Sequence, residues 1–338
     1  MPDMDGIANN QYGRWQWREA FPGEPFWAHF QTTDTHGDFP TVSPFSGRFV
    51  SPSELETWRD WNERLGEAGG RTIYSRSYAA TGISRTAFFS LTLGLYDEAM
   101  AHNDYQLGRL VDRLKAEGRW QNTLLIIGGD HSIQAAYQDM VVLLDSLPPR
   151  WGQPMFRPTR TRVPLIFVWP GRIPGGRRFD QPVSMLDVLP TLLDLVGLPP
   201  AEIAQGQSLA PLMLGREGWE PRPVILDEFT SNTATGELSG VIEVVDGRWG
   251  ASLEINPSPD MRDDARRPVP LLLYDLWNDP MALHSLHEER PDLVAKYMTF
   301  LEAQFQAHKD LSQFFTRSGE VELTPEQLQT LRSLGYIR

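Results

Sequence analysis

Cysteine is absent from all 338 residues, which excludes disulfide staples and thiolate metal sites without choosing a compartment. Positive charge is scarce as well: 31 Lys and Arg stand against 44 Asp and Glu, a formal net charge of -13. That surplus of acid argues against a nucleic-acid partner held through phosphate contacts. No apolar run approaches the length needed to cross a bilayer, so no membrane span is expected. Met1 to Pro22 are polar and Gly-rich, and lack the basic start and apolar stretch of a secretory leader. As written the chain reads as cytoplasmic, and as periplasmic or secreted if a leader was lost with an earlier start. There is no fixed-period repeat and no low-complexity tract. Nothing in the pattern specifies an oligomeric state. What is present, 41% hydrophobic residues, is enough to bury one large core or two unequal ones.

The periodicities order the chain. Residues near 25 to 32, 122 to 128 and 163 to 168 read as buried strands, and 54 to 65 and 84 to 117 as helices. Phe88, Leu91 and Leu95, then Leu107, Leu110, Val111 and Leu114, recur at helical spacing. Strands alternating with helices predict an α/β fold with a mainly parallel sheet covered on both faces. Gly215 to Pro221 is rich in Gly and Pro and reads as a boundary. Beyond it, Val224 to Leu226, Val241 to Val245, Ala251 to Ile255 and Leu271 to Tyr274 predict a small antiparallel sheet, with Asp246-Gly247 at a hairpin turn. Pro291 to Gln306 predicts a helix packing Leu293, Tyr297 and Leu301 on that sheet. The expected division is an irregular segment 1–24, an α/β domain 25–218, and a C-terminal α+β subdomain 219–338.

The chemistry gathers after two apolar runs. Thr123 to Ile127 leads into Gly128-Gly129-Asp130-His131, and open α/β sheets bind ligands outside the carboxyl ends of their strands. A carboxylate beside an imidazole suits a divalent metal. An Asp capping the next helix, followed by a surface His, fits the same residues. Phe26 to Phe30 ends likewise in Asp34-Thr35-His36, where an imidazole can donate to an anionic oxygen or transfer protons; a solvated loop fits there too.

These stretches, in order, resemble the sulfatases of the alkaline phosphatase superfamily. The resemblance runs through Asp34-Thr35-His36, Tyr96-Asp97 to Asp104 and Gln106-Leu107-Gly108-Arg109-Leu110, then Asn122 to Ile126 and Asp130-His131-Ser132. It continues with Arg162 to Ile166, Trp169-Pro170-Gly171, Asp187 to Leu193, Leu273 to Leu276 with Asn278-Asp279-Pro280, and Leu334 to Ile337. It implies an alkaline-phosphatase-like α/β fold and metal-assisted hydrolysis of a small-molecule or glycan sulfate ester. A phosphonate or phosphate mono- or diester hydrolase of the same superfamily, or a catalytically silent binding relative, are the alternatives.

By that resemblance Asp130 and His131 are metal ligands and His36 is the catalytic residue at the transferring group. Calcium is the ion it implies first, and the His at 131 suits manganese, zinc or iron. Family members open on a strand ending in an Asp-Asp metal pair and carry a Cys/Ser-x-Pro-Ser-Arg nucleophile motif; this sequence resembles neither, so a truncated or inactive form stands as an alternative to an active one. Thr81-Gly82-Ile83-Ser84-Arg85 aligns crudely with the second motif, but a helix start explains it more simply. Where many sulfatases have Trp-Gly-Lys this chain has Trp151-Gly152-Gln153, so Gln153, with Arg157 as a nearby cation, is the substrate-binding candidate. Arg157 also reads as part of a solvated basic loop.

Overall fold

Ser51 starts the first helix by accepting a hydrogen bond from the Glu54 amide at 3.3 Å, while the Glu54 carboxylate reaches back to the Ser51 amide at 2.8 Å. This reciprocal cap, with Pro52 at the first helical position, opens α1 (Pro52–Glu67). In the computed structural model the described residues are 25–32, 34–35, 44–68, 80–131, 161–231, 237–256 and 271–312. They fall into two units, one holding the described residues through Trp120 and the other those from Gln121 on.

In the first unit α2 (Arg85–Ala116) begins at Ser84, whose hydroxyl accepts from the Ala87 amide at 3.3 Å, and ends with Arg113 and Lys115 against the dipole. Ser84 is therefore a helix cap, and Ile83 beside it is buried in the core. That core joins Trp58 and Leu65 of α1 to Phe88, Phe89 and Leu95 of α2, with Val50. The Trp58 indole donates to Thr92 Oγ1 at 3.2 Å. Glu98, 2% exposed, accepts through one oxygen from the amides of Gly47 (2.9 Å), Phe49 (3.2 Å) and Val50 (3.1 Å). Buried amides need such partners, and one side chain of α2 serves three.

The strand expected over 25–32 is not formed: these residues are irregular, and Trp27 is 73% exposed. A strand exists only through a partner's hydrogen bonds, and no described strand pairs with this run. Its aromatic content is used differently, with the Arg119 guanidinium 5.0 Å from the Phe26 ring centroid.

In the second unit β1 (Leu125–Gly128) pairs with β2 (Leu165–Val168), Leu125 facing Val168 and Gly128 facing Leu165. The pairing is antiparallel, where alternation with helices had predicted parallel neighbours. Four consecutive apolar residues carry no period-two signature, so their sense along the sheet is not written in the pattern. After β2 come α3 (Val188–Val196) and α4 (Ala210–Leu214). They are tied by Asp187, 1% exposed, which accepts from the amides of Ser184 (2.9 Å) and Gln207 (2.8 Å) and pairs with Arg222. The Thr191 hydroxyl donates to the Asp187 carbonyl at 2.5 Å and accepts from the Leu209 amide at 2.8 Å.

The C-terminal sheet is antiparallel in the order β3 (Val224–Ser231), β4 (Leu238–Asp246), β5 (Trp249–Ile255), β6 (Leu271–Asp275). Gly247, with φ +58°, turns β4 into β5. Alternate residues Ile242, Val244, Ala251, Leu253, Leu271 and Leu273 line one face, and Tyr297 and Leu301 of α5 (Pro291–Ser312) pack on it. The α/β class and the C-terminal antiparallel sheet with its helix are thus as expected.

Candidate active site residues

Asp130 and His131 emerge directly from the carboxyl end of β1. The Gly129 amide donates to the Pro164 carbonyl at 3.2 Å, which carries the contact with the second chain segment past the ladder. A Cβ at 129 would sit 3.2 Å from Val163 Cβ, so a side chain there would press on Val163 where the two segments approach. The Asp130 carboxylate accepts from the His131 amide at 2.9 Å through Oδ1, and its Oδ2 lies 3.9 Å from His131 Nε2. Both side chains are exposed, 68% for Asp130 and 61% for His131. The carboxylate and the imidazole thus stand side by side at an exposed strand end, and this donor pair fits two positions around a divalent cation. Among the described residues no group of three or more His, Asp or Glu side chains gathers as a metal site.

The first unit holds the Asp34 end of the second motif. Asp34 is 8% exposed, and its Oδ2 lies 3.7 Å from Nδ1 of His102, itself 3% exposed, on α2. Burial raises the Asp34 carboxyl above its ordinary value, and the adjacent imidazole opposes that rise. His102 Nε2 lies 3.0 Å from the Gln106 amide nitrogen one turn on, and the Gln106 carbonyl accepts from Arg109 at 3.0 Å. The Phe45 ring closes the cluster 6.3 Å from the imidazole. His36, Gln153 and Arg157 lie outside the described residues.

A family model described as Sulfatase matches residues 16–198, more than half of the chain. The chain belongs to the sulfatase family. A second model, described as N-sulphoglucosamine sulphohydrolase, C-terminal, matches residues 153–248 of this sulfatase-family chain. Arylsulfatase D of Homo sapiens is 32% identical over 129 residues, covering 37% of this chain and 22% of the relative. The choline-sulfatase of Rhizobium meliloti (strain 1021) is 27% identical over 236 residues, covering 68% of this chain and 38% of the relative. Among solved structures, a putative sulfatase from Bacteroides thetaiotaomicron VPI-5482 shares the fold with a TM-score of 0.56 over 95% of this chain and 65% of that chain, at 19% identity. The chain spans 20% to 43% of the length of the curated relatives it matches.

Within this sulfatase-family chain the α2 motif divides between solvent and interior. Asp104, the acidic residue of the family pattern, is exposed, whereas His102 and Gln106 are buried. The signal was present: a His, a Gln four residues on and an Arg three beyond that share one helical face. Asp187 was similarly readable, since Ser184 followed three residues later by an acid is the pattern of a capping box.

Proposed function

We propose that this chain acts in the hydrolysis of sulfate esters, small-molecule or glycan, with a divalent cation at Asp130 and His131. The observation that carries the reading is that pair, carboxylate and imidazole exposed side by side at the end of β1, inside the segment matched by the sulfatase model. Relatives named for arylsulfate and choline sulfate support a sulfate ester as the substrate class. Calcium is the proposed ion, with manganese, zinc or iron as alternatives suited to the imidazole. When bound, such a cation polarises ester oxygens and lowers the pKa of a coordinated hydroxyl.

The side chains have separate tasks. The Asp130 carboxylate and the His131 imidazole hold the cation. His36 donates a hydrogen bond to the transferring group, a role worth ~10- to 1000-fold in rate. Gln153 and Arg157 supply donors to the ester oxyanion, the guanidinium adding charge that the amide lacks. No described residue is assigned as nucleophile, and Ser84 is occupied as a cap.

The test is hydrolysis of an aryl sulfate and of phenylphosphonate under titration with calcium, manganese and zinc, repeated for Asp130→Ala. Metal-dependent sulfate hydrolysis that Asp130→Ala abolishes is the expected result. Turnover that is metal-independent, or unchanged in the variant, overturns the assignment, and activity confined to the phosphonate moves the chain to the neighbouring chemistry.

A further inference from the structure

The buried cluster on α2 has a definite polarity that follows from which groups can only donate. Arg109 carries no acceptor, so the Gln106 atom it meets at 3.0 Å is the carbonyl oxygen. The Gln106 amide nitrogen is then the atom facing His102, 3.0 Å from Nε2. An NH2 group donates, so His102 Nε2 is an acceptor and bears no proton. The ring proton of neutral His102 is therefore on Nδ1, which has no hydrogen-bond partner and lies 3.7 Å from Asp34 Oδ2. That distance exceeds hydrogen-bond reach, so the N–H acts on the carboxylate as an oriented dipole. Protonating Nε2 would require the Gln106 amide to flip and turn its own NH2 against the guanidinium.

We infer that Arg109, Gln106 and His102 form a one-way relay that fixes the His102 proton toward Asp34 and so positions the Asp34-Thr35 turn, from which His36 follows directly in sequence. The three are positioning residues, and the inference rests on the reading of His36 as the group that acts on the ester. The groups facing the imidazole among the described residues are few. Asp34 comes from the turn, Gln106 and, through it, Arg109 come from α2, and the Phe45 ring brings no charge. Glu98, one turn earlier on α2, directs a carboxylate oxygen to the amides of Gly47, Phe49 and Val50. With the proton reversed, a bare Nδ1 lone pair would face the Asp34 carboxylate, and the turn would be pushed from α2.

Long-range proton–nitrogen spectra of 15N-histidine-labelled protein, with His102 assigned through His102→Asn, read the tautomer directly. The expected wild-type signature is a protonated Nδ1 and a bare Nε2; the reverse overturns the relay. Gln106→Glu leaves only acceptors opposite both neighbours, so His102 Nε2 must acquire a proton, and a resonance that stays bare also overturns it. If Gln106→Glu does not fold, Arg109→Met decides: with the amide free to turn, both tautomers appear, and an unchanged single tautomer refutes the relay. For the positioning role, His102→Leu, which presents no N–H to Asp34, lowers kcat by about tenfold or more with KM little changed. His102→Asn, which keeps a donor toward Asp34, retains most of the wild-type kcat. A His102→Leu protein that is folded and has wild-type kcat sinks the positioning role. A wild type with the expected tautomer but no ester turnover sinks the sulfatase reading and leaves the relay standing.

Discussion

Truncating Asp187 to alanine tests how the segment after β2 is held. The carboxylate is almost wholly buried and takes hydrogen bonds from the Ser184 and Gln207 amides and from Arg222, whose side chain is 35% exposed. Asp187→Ala orphans both amides, each costing ~1–3 kcal/mol where water cannot replace the lost acceptor. Arg222 can rehydrate, so its own loss belongs nearer the surface-pair scale of ~0–1 kcal/mol. The sum, ~2–7 kcal/mol, brackets the ~3–5 kcal/mol cost of breaking a buried charged contact and is a large part of the ~5–15 kcal/mol that holds a typical domain. Arg222→Met should cost ~1 kcal/mol or less by the same logic. Asp187→Asn should fall between them, because its NH2 must meet a donor. Urea unfolding followed by tryptophan fluorescence gives the three values and checks that the m-value is unchanged. A loss below ~1 kcal/mol for Asp187→Ala, or a larger loss for Arg222→Met than for Asp187→Ala, would refute the reasoning.

Asp130→Ala removes a side chain that is 68% exposed, so stability should stay within ~0.5 kcal/mol by thermal melt, and lost activity can be read as lost chemistry. Leu301→Ala, in a side chain with no exposed area at the α5–sheet contact, should cost ~2–5 kcal/mol in urea unfolding. Burial, helped by a hydrogen bond to Asp246 at 2.9 Å, pushes the Tyr297 hydroxyl up from 10.0 to about 12. A raised value means its stabilising effect is complete below pH 10.0 and lost as pH climbs through about 12; alkaline unfolding titrations should show that slope, and Tyr297→Phe should remove it. The Arg248 guanidinium, with Asn278, holds the Asp275 carboxyl well below the usual carboxylate range. Its contribution is present above the unfolded value of 3.8 and fades as pH falls toward the folded one, so acid unfolding should begin at higher pH in Arg248→Met.

Where local pattern and final environment agreed, the fold was legible. Ser84 and Glu117 were read as the limits of a helix, and α2 is capped at those two residues. Tyr297 and Leu301 were read as one buried stripe, and both are in the core under the antiparallel sheet. The sense of β1 against β2 was not legible, because apolar residues on both faces look alike in either direction. Phe26 to Phe30 has the composition of a strand, but composition carries no information about whether a neighbouring strand is there to complete it. In the candidate site, Asp130 and His131 stand at a strand end as read. His102 escaped notice because its partner, Asp34, is remote in sequence, and only the folded chain brings an imidazole on a helix beside a carboxylate on a turn.

The Glu98 arrangement gives the segment around Val50 an unusual mechanical character. Three amides converge on a single carboxylate oxygen, so the loop depends at three points on one side chain of α2. A shift of that oxygen is felt at Gly47, Phe49 and Val50 together, and the start of α1, whose cap Ser51 follows Val50, inherits the same jolt.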